Sequence, residues 1–163
     1  MQPAPLTLQL AGAPCALGAE IGGSGSRAVP LAPIDALMLA WLAVEGPTSR
    51  ERLAALLWPG SGAEAGRNAM RQRLFRLRKQ LGVDAAIGSA TLALAPGVVH
   101  DLESSTGLLG DLRAPESPEL DSWLDSRRAV RRASARQTTE ARIEALEAVG
   151  DVPAALPLAL ALL

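Results

Sequence analysis

Apolar residues recur at two different spacings along this chain, and the switches between them mark its elements. Leu6, Leu8 and Leu10 alternate with Thr7 and Gln9, the period of a strand. Ala11-Gly12-Ala13-Pro14 turns the chain, Cys15–Glu20 reads as a second strand and Ala28–Leu31 as a third, with the run Gly22–Ser26 as a loop between them. The spacing then becomes helical. Ile34, Leu37, Met38, Trp41 and Leu42 share one face of a helix that Pro33 opens and Gly46-Pro47 closes. Thr48 or Ser49 caps a shorter helix whose stripe is Leu53, Leu56 and Leu57, closed by Trp58. Pro59-Gly60-Ser61-Gly62 breaks the chain before a longer helix from about Glu64 to Leu81, striped by Met70, Leu74, Leu77 and Leu81. Trp41 and Trp58 are expected in the core.

After Gly82 strand spacing returns. Ala86-Ile87-Gly88 and Thr91–Leu94 read as a two-stranded ribbon, and Pro96-Gly97 turns into Val98–Asp101. Residues 102–117 read as a linker with one helical turn around Leu108–Leu112. Ser117-Pro118-Glu119 opens a long helix, with Ser as cap, Pro in the first turn and Glu at the positive end. Leu120, Trp123 and Leu124 anchor its start, and Ile143, Leu146 and Val149 carry its apolar face to Gly150-Asp151. An Ala- and Leu-rich helix follows, with Pro157 early inside it, where a missing donor invites a kink.

The helix at 64–81 stands apart by charge. Its faces away from the stripe carry Arg67, Arg71, Arg73, Arg76, Arg78 and Lys79 against Glu64 alone, a formal +5. At about 100° per residue from Met70, Asn68, Gln72, Phe75, Arg76 and Lys79 point outward, with Arg67, Arg71 and Arg78 on one flank. A short helix, a tight break and a basic amphipathic helix describe a helix-turn-helix, whose second helix enters the major groove. Asn and Gln bond adenine bidentately and Arg does so with guanine, while flanking arginines suit phosphates. The candidate DNA-binding residues are therefore Arg67, Asn68, Arg71, Gln72, Phe75, Arg76, Arg78 and Lys79. A solvated surface face is the plainer reading of such a charge run. The paired short helix, the two amides and the near absence of acids argue against it.

The net charge of −1 suits a DNA binder poorly until the halves are separated. Residues 1–100 carry nine basic and six acidic groups, and residues 101–163 carry seven and eleven. A basic front half joined to an acidic back half fits a nucleic-acid module attached to something else. Cys15 is the one cysteine, so it forms no disulfide within the chain, and a buried thiol is the expected role. His100 is also alone and reads as a strand-end surface residue. The glycine run at 22–26 lacks the Gly-Lys-Ser/Thr ending of a phosphate-binding loop and no helix follows it directly. No cofactor or metal is implied. Without a basic leader or an 18-residue apolar run, a soluble cytoplasmic protein with no membrane partner is expected.

Ser49–Gly60, the Arg67-Asn68 pair and Met70–Gly82 resemble the Streptomyces antibiotic regulatory protein family, bacterial transcription activators. The leucine stripe, Trp58-Pro59 and the arginines are kept; Ala69-Met70 stands where Asn-Leu is usual. Trp123-Leu124-Asp125-Ser126-Arg127 is similar to the start of the family's activator domain. The resemblance implies an OmpR-type winged helix over 1–102, with the ribbon after 82 as its wing. A helical, tetratricopeptide-like bacterial transcriptional activator domain would then begin within 103–163. The wing is poor in Lys and Arg, so little phosphate contact is expected of it. The resemblance further implies double-stranded DNA and RNA polymerase as partners, a homodimer on repeated half-sites, and an exposed loop at Pro59, Gly60, Ser61 and Gly62 that meets the polymerase. The fold class is thus mainly α with small antiparallel β elements. The apolar run that ends at Leu163 has no polar cap and reads as part of a longer protein.

Two readings from other classes remain. One is a helical interaction module whose basic helix binds an acidic partner. The other is an enzyme, for which the chain offers no constellation of acid, base and nucleophile. Arg127, Arg128, Arg131, Arg132 and Arg136 form a second basic cluster, read as a surface laced by salt bridges with Asp121 and Asp125 in reach.

Overall fold

The computed structural model of the chain describes residues 5–19 and 26–163, so most of the Gly22–Ser26 loop lies outside the described residues. The fold is mixed α/β, with five α-helices and two small sheets among the described residues. Strand β1 (Thr7–Gln9) pairs antiparallel with β2 (Cys15–Ala19), which pairs antiparallel with β3 (Ser26–Pro30). The alternation of Leu6, Leu8 and Leu10 buries all three residues on one face of this sheet.

Helix α1 (Pro33–Glu45) starts on Pro33, and Leu37, Met38 and Leu42 are buried as the stripe demands. Ile34 and Trp41 are only partly buried and pack against the core edge. Two residues, β4 (Thr48–Ser49), then make a strand that no alternation announces; β4 pairs antiparallel with β6 (Thr91–Leu94). Helix α2 (Arg50–Leu57) follows at once, capped by Ser49 Oγ, which accepts from the Arg52 N–H at 3.2 Å. Leu53, Leu56 and Leu57 are buried, and Trp58, half-buried, closes the helix. Helix α3 (Ala63–Leu81) ends at Gly82, whose N–H donates to Arg78 O from a left-handed backbone.

The ribbon after α3 forms as β5 (Ala86–Ile87) against β6, giving a three-stranded sheet β4-β6-β5. The next segment does not extend the ribbon. After Pro96-Gly97, β7 (Val99–His100) crosses to the N-terminal sheet and runs parallel to β1, and Asp101–Glu103 closes in a 3-10 turn. Asp101 explains the crossing: its carboxylate accepts from the Leu10 and Ala11 N–H groups at 2.7 and 3.1 Å, satisfying donors beyond the end of β1.

Residues 102–117 are packed rather than loose. Leu102, Leu108, Leu109, Ala114 and Ser117 are buried, and Leu109 N–H donates to Leu10 O at 2.6 Å. At Leu108–Leu112, where a helical turn is expected, a single hydrogen-bonded turn forms, Leu112 N–H donating to Leu109 O at 3.0 Å, but Leu109 and Gly110 take positive φ, so it is not right-handed helix. Gly107 lies so close to the first hairpin that an added Cβ would stand 2.3 Å from Ala11 O, which only glycine permits.

Helix α4 (Pro118–Ala148) is capped by the buried Ser117, whose Oγ accepts from Leu120 N–H. Its first turns dock on the core through Leu120 and Leu124. Trp123 stacks obliquely on Trp41, with ring centroids 4.9 Å apart, and donates its indole N–H to Glu45 at 2.7 Å. Helix α5 (Val152–Leu160) folds back on α4 after Gly150, starting on the Asp151 cap with Pro157 in its interior. No helix among the described residues is long and apolar enough to cross a membrane.

Candidate nucleic-acid interface

Helix α3 is anchored along one face and open along the other. Met70 and Leu77 are buried, and Leu74 and Leu81 pack at the core's edge. Gly66 lets α2 and α3 approach closely: an added Cβ would lie 3.3 Å from Ala54 Cβ. Arg73 leaves the basic set. It reaches across to α1 and binds the carboxylate of Asp35 with two guanidinium nitrogens. Asp35 is 1% exposed, so this pair joins α1 to α3 inside the protein, and the hydrogen bond to Asp35 raises the Arg73 pKa further. Gln80 donates to Pro30 O at 3.1 Å and ties the far end of α3 to β3.

The eight candidate residues Arg67, Asn68, Arg71, Gln72, Phe75, Arg76, Arg78 and Lys79 are all exposed. Arg78 has a weak ion pair, 3.6 Å from the exposed Asp84. Arg67 and Arg71 on the flank and Arg76 and Lys79 on the outward face make no salt bridge among the described residues. Four residues N-terminal to this face, Pro59, Gly60, Ser61 and Gly62 are exposed in an ordered turn, held by Ser61 Oγ donating to Trp58 O at 2.6 Å. The turn rims an apolar groove of about 740 Å³ floored by Ile34, Leu37, Leu57, Trp58, Leu112 and Leu120.

A second concavity, about 420 Å³, opens where α2, α3 and the β5–β6 hairpin meet. Arg50, Arg67 and Arg71 line it together with Ser49, Ser89, Thr91 and one carboxylate, Glu51. Arg50 N–H donates to Ala90 O at 2.9 Å, fixing the start of α2 against the hairpin, while the Arg50 Nε is buried without a hydrogen-bond partner. Sequence reasoning missed Arg50, Ser89 and Thr91. The signal for them is the pairing of β4 with β6, too short to be read from alternation. The hairpin is indeed free of Lys and Arg, yet it brings two hydroxyls to the arginines.

In the second arginine cluster Arg127, Arg128 and Arg136 each meet a carboxylate, as a surface laced by salt bridges requires, and Arg128 and Arg131 also hold backbone carbonyls. Arg128 donates to Leu108 O and Leu112 O at 3.0 and 2.7 Å, and Arg131 to the carbonyls of Leu102, Ser105 and Gly107. Arg127 pairs with Glu45, and Arg136 with Glu140. Asp121 and Asp125 are engaged chiefly by Arg113. The Ala114 N–H and then Arg113 hold the Asp121 carboxyl below the ordinary aspartate pKa. Cys15 is half-buried rather than buried, its thiol against Gln9 Oε1 at 2.9 Å, and His100 lies at the strand end, partly buried with Nδ1 unpartnered.

Comparison of the chain with protein-family models, curated proteins and solved structures returns no match.

Proposed function

We propose that the chain is a sequence-specific DNA-binding transcription regulator, an activator, that seats α3 in the major groove. One observation carries the reading: α3 is fixed by its apolar stripe and by Arg73–Asp35, and its opposite face keeps Asn68 and Gln72 exposed beside Arg67, Arg71 and Arg76, which make no salt bridge among the described residues. A rigid helix with amides toward base edges and cations beside them matches what duplex DNA presents, with bases specifying and phosphates supplying affinity. The concavity sets Arg50, Arg67 and Arg71 and the Ser89 and Thr91 hydroxyls against the one carboxylate of Glu51, a net positive site for a backbone phosphate. In this reading α2–α3 is a helix-turn-helix, β5–β6 is its wing, and the likeness to Streptomyces antibiotic regulatory proteins is one of family. The exposed turn at Pro59–Gly62 and its apolar groove are the surface for RNA polymerase, and α4–α5 begin the activator domain.

Salt titration of binding to random duplex tests the class. Binding should weaken with a slope of several counterions; absence of binding at low salt would leave the helix to an acidic protein partner instead. Alanine variants test the roles. Asn68→Ala and Gln72→Ala should each lose about 1–3 kcal/mol on the preferred site and little on random DNA. Arg50→Ala, Arg67→Ala and Arg71→Ala should weaken both alike and lower the salt slope by about one each.

A further inference from the structure

The chain has a single phenylalanine, and it is not in the core. Phe75 is 66% exposed at the middle of the outward face of α3. Arg71 and Gln72 precede it by one turn and Lys79 follows it by one turn, all exposed. The core is built from Leu, Ala and Met, so the ring has no packing duty in the folded protein. Whatever covers it must offer an apolar spot ringed by negative charge, because Arg71, Arg76 and Lys79 around it lack acidic partners among the described residues. An apolar helix from a protein partner would bring those cations against a low-dielectric surface. Duplex DNA supplies both requirements, since the 5-methyl group of thymine projects into the major groove between two phosphate backbones.

We propose that Phe75 is a specificity residue that reads a thymine 5-methyl group. Gln72, one turn before it on the same face, takes an adjacent adenine. This rests on the DNA-binding reading above and adds the base composition of the half-site: an A·T pair under Gln72 with a thymine methyl beside it under Phe75. The ring gives no hydrogen bond, so it discriminates only through that methyl group, thymine against cytosine or uracil.

The experiment begins with selection of sites from a random duplex library by the full chain. Affinity is then measured for the selected site and for copies in which each thymine in turn is replaced by deoxyuridine, which removes one methyl group and nothing else. The wild-type chain should lose about fourfold at one thymine, the weight of one buried methyl, and little at the others. Phe75→Ala should still bind the site, more weakly, and be indifferent to that replacement; Phe75→Leu, which keeps an apolar contact, should retain part of the discrimination. If the wild-type chain binds but no single replacement matters, or if Phe75→Ala shows the same loss at the same thymine, the assignment of Phe75 is overturned and DNA binding stands. If the library yields no enriched site and random duplex is not bound at low salt, both fall.

Discussion

Arg73 shows how much of a side chain's role lies in its partner. On a helical wheel it is one of six cations on α3; in space it is the internal brace to α1. Its partner Asp35 lies 38 positions earlier in sequence and sits in the first turn of α1, where the helix N-terminus adds to the stabilisation of its charge. Nothing in the local pattern links the two, whereas Asn68, Gln72 and Phe75 were legible as outward because that depends on helical phase alone. Removing one member of a buried pair strands the other. Arg73→Met should therefore cost about 3 kcal/mol at neutral pH, toward the low end for buried pairs because Arg73 itself is partly exposed. Asp35→Leu with Arg73→Met should recover most of the loss, since matched apolar residues often replace a buried pair without penalty. Urea unfolding of the three variants measures this; a double variant no better than Arg73→Met alone would show that the pair's geometry, and not its charge, holds α1 to α3.

Among the elements, the helices were the easy part. Each has a stripe of apolar residues at i, i+3 and i+4, and its ends are marked by Pro, Ser or Gly. The short strands were hidden. β4 is two residues long, and β7 looks like a continuation of the ribbon until Asp101 is seen to hold the end of β1. Residues 102–117 look like a linker because their contacts are to carbonyl groups, which every residue has and no sequence marks. Arg128 and Arg131 take five such carbonyls, and Arg113 and Asp121 fix the segment's far end. The Asp121 carboxyl makes this end sensitive to acid. Its folded pKa is depressed, so its contribution to stability is fully present above the ordinary aspartate value of about 3.9 and is lost as pH falls below that through the folded value. Asp121→Asn should remove this component: its urea midpoint should fall less steeply than the wild type's between pH 5 and pH 2.5. Parallel curves for the two proteins would place the acid sensitivity elsewhere.

At the scale of the molecule, the density of packing changes partway along α4, not where the sequence changes from strand to linker. Up to Arg131, α4 is held by Leu120 and Leu124 in the core, by the Trp41–Trp123 stack, and by Glu45, which takes both Trp123 and Arg127. Arg52 on α2 pairs with Glu119 at its start. Beyond that point the contacts are sparse. Ala135, Thr139, Ile143 and Leu146 are only partly covered, and Val149, Val152, Leu156 and Leu160 are exposed. Ala155 is the one buried side chain of α5. A single helical hairpin has too little apolar surface to hold itself closed, and Pro157 removes one backbone donor from α5. Local opening should follow this division. Amide hydrogen exchange should find residues 118–131 protected together with α1 and α2, whereas residues 136–160 exchange at least about a hundredfold faster, as a separate unit opening below the global free energy. The change in protection should fall inside one continuous helix, near Arg131–Arg136. Uniform protection along α4 would mean that the hairpin is stabilised by contacts other than those with the N-terminal core. Loss of protection starting at Pro118 would instead make the tryptophan stack and the Glu45 contacts too weak to hold α4 on the domain that carries α3.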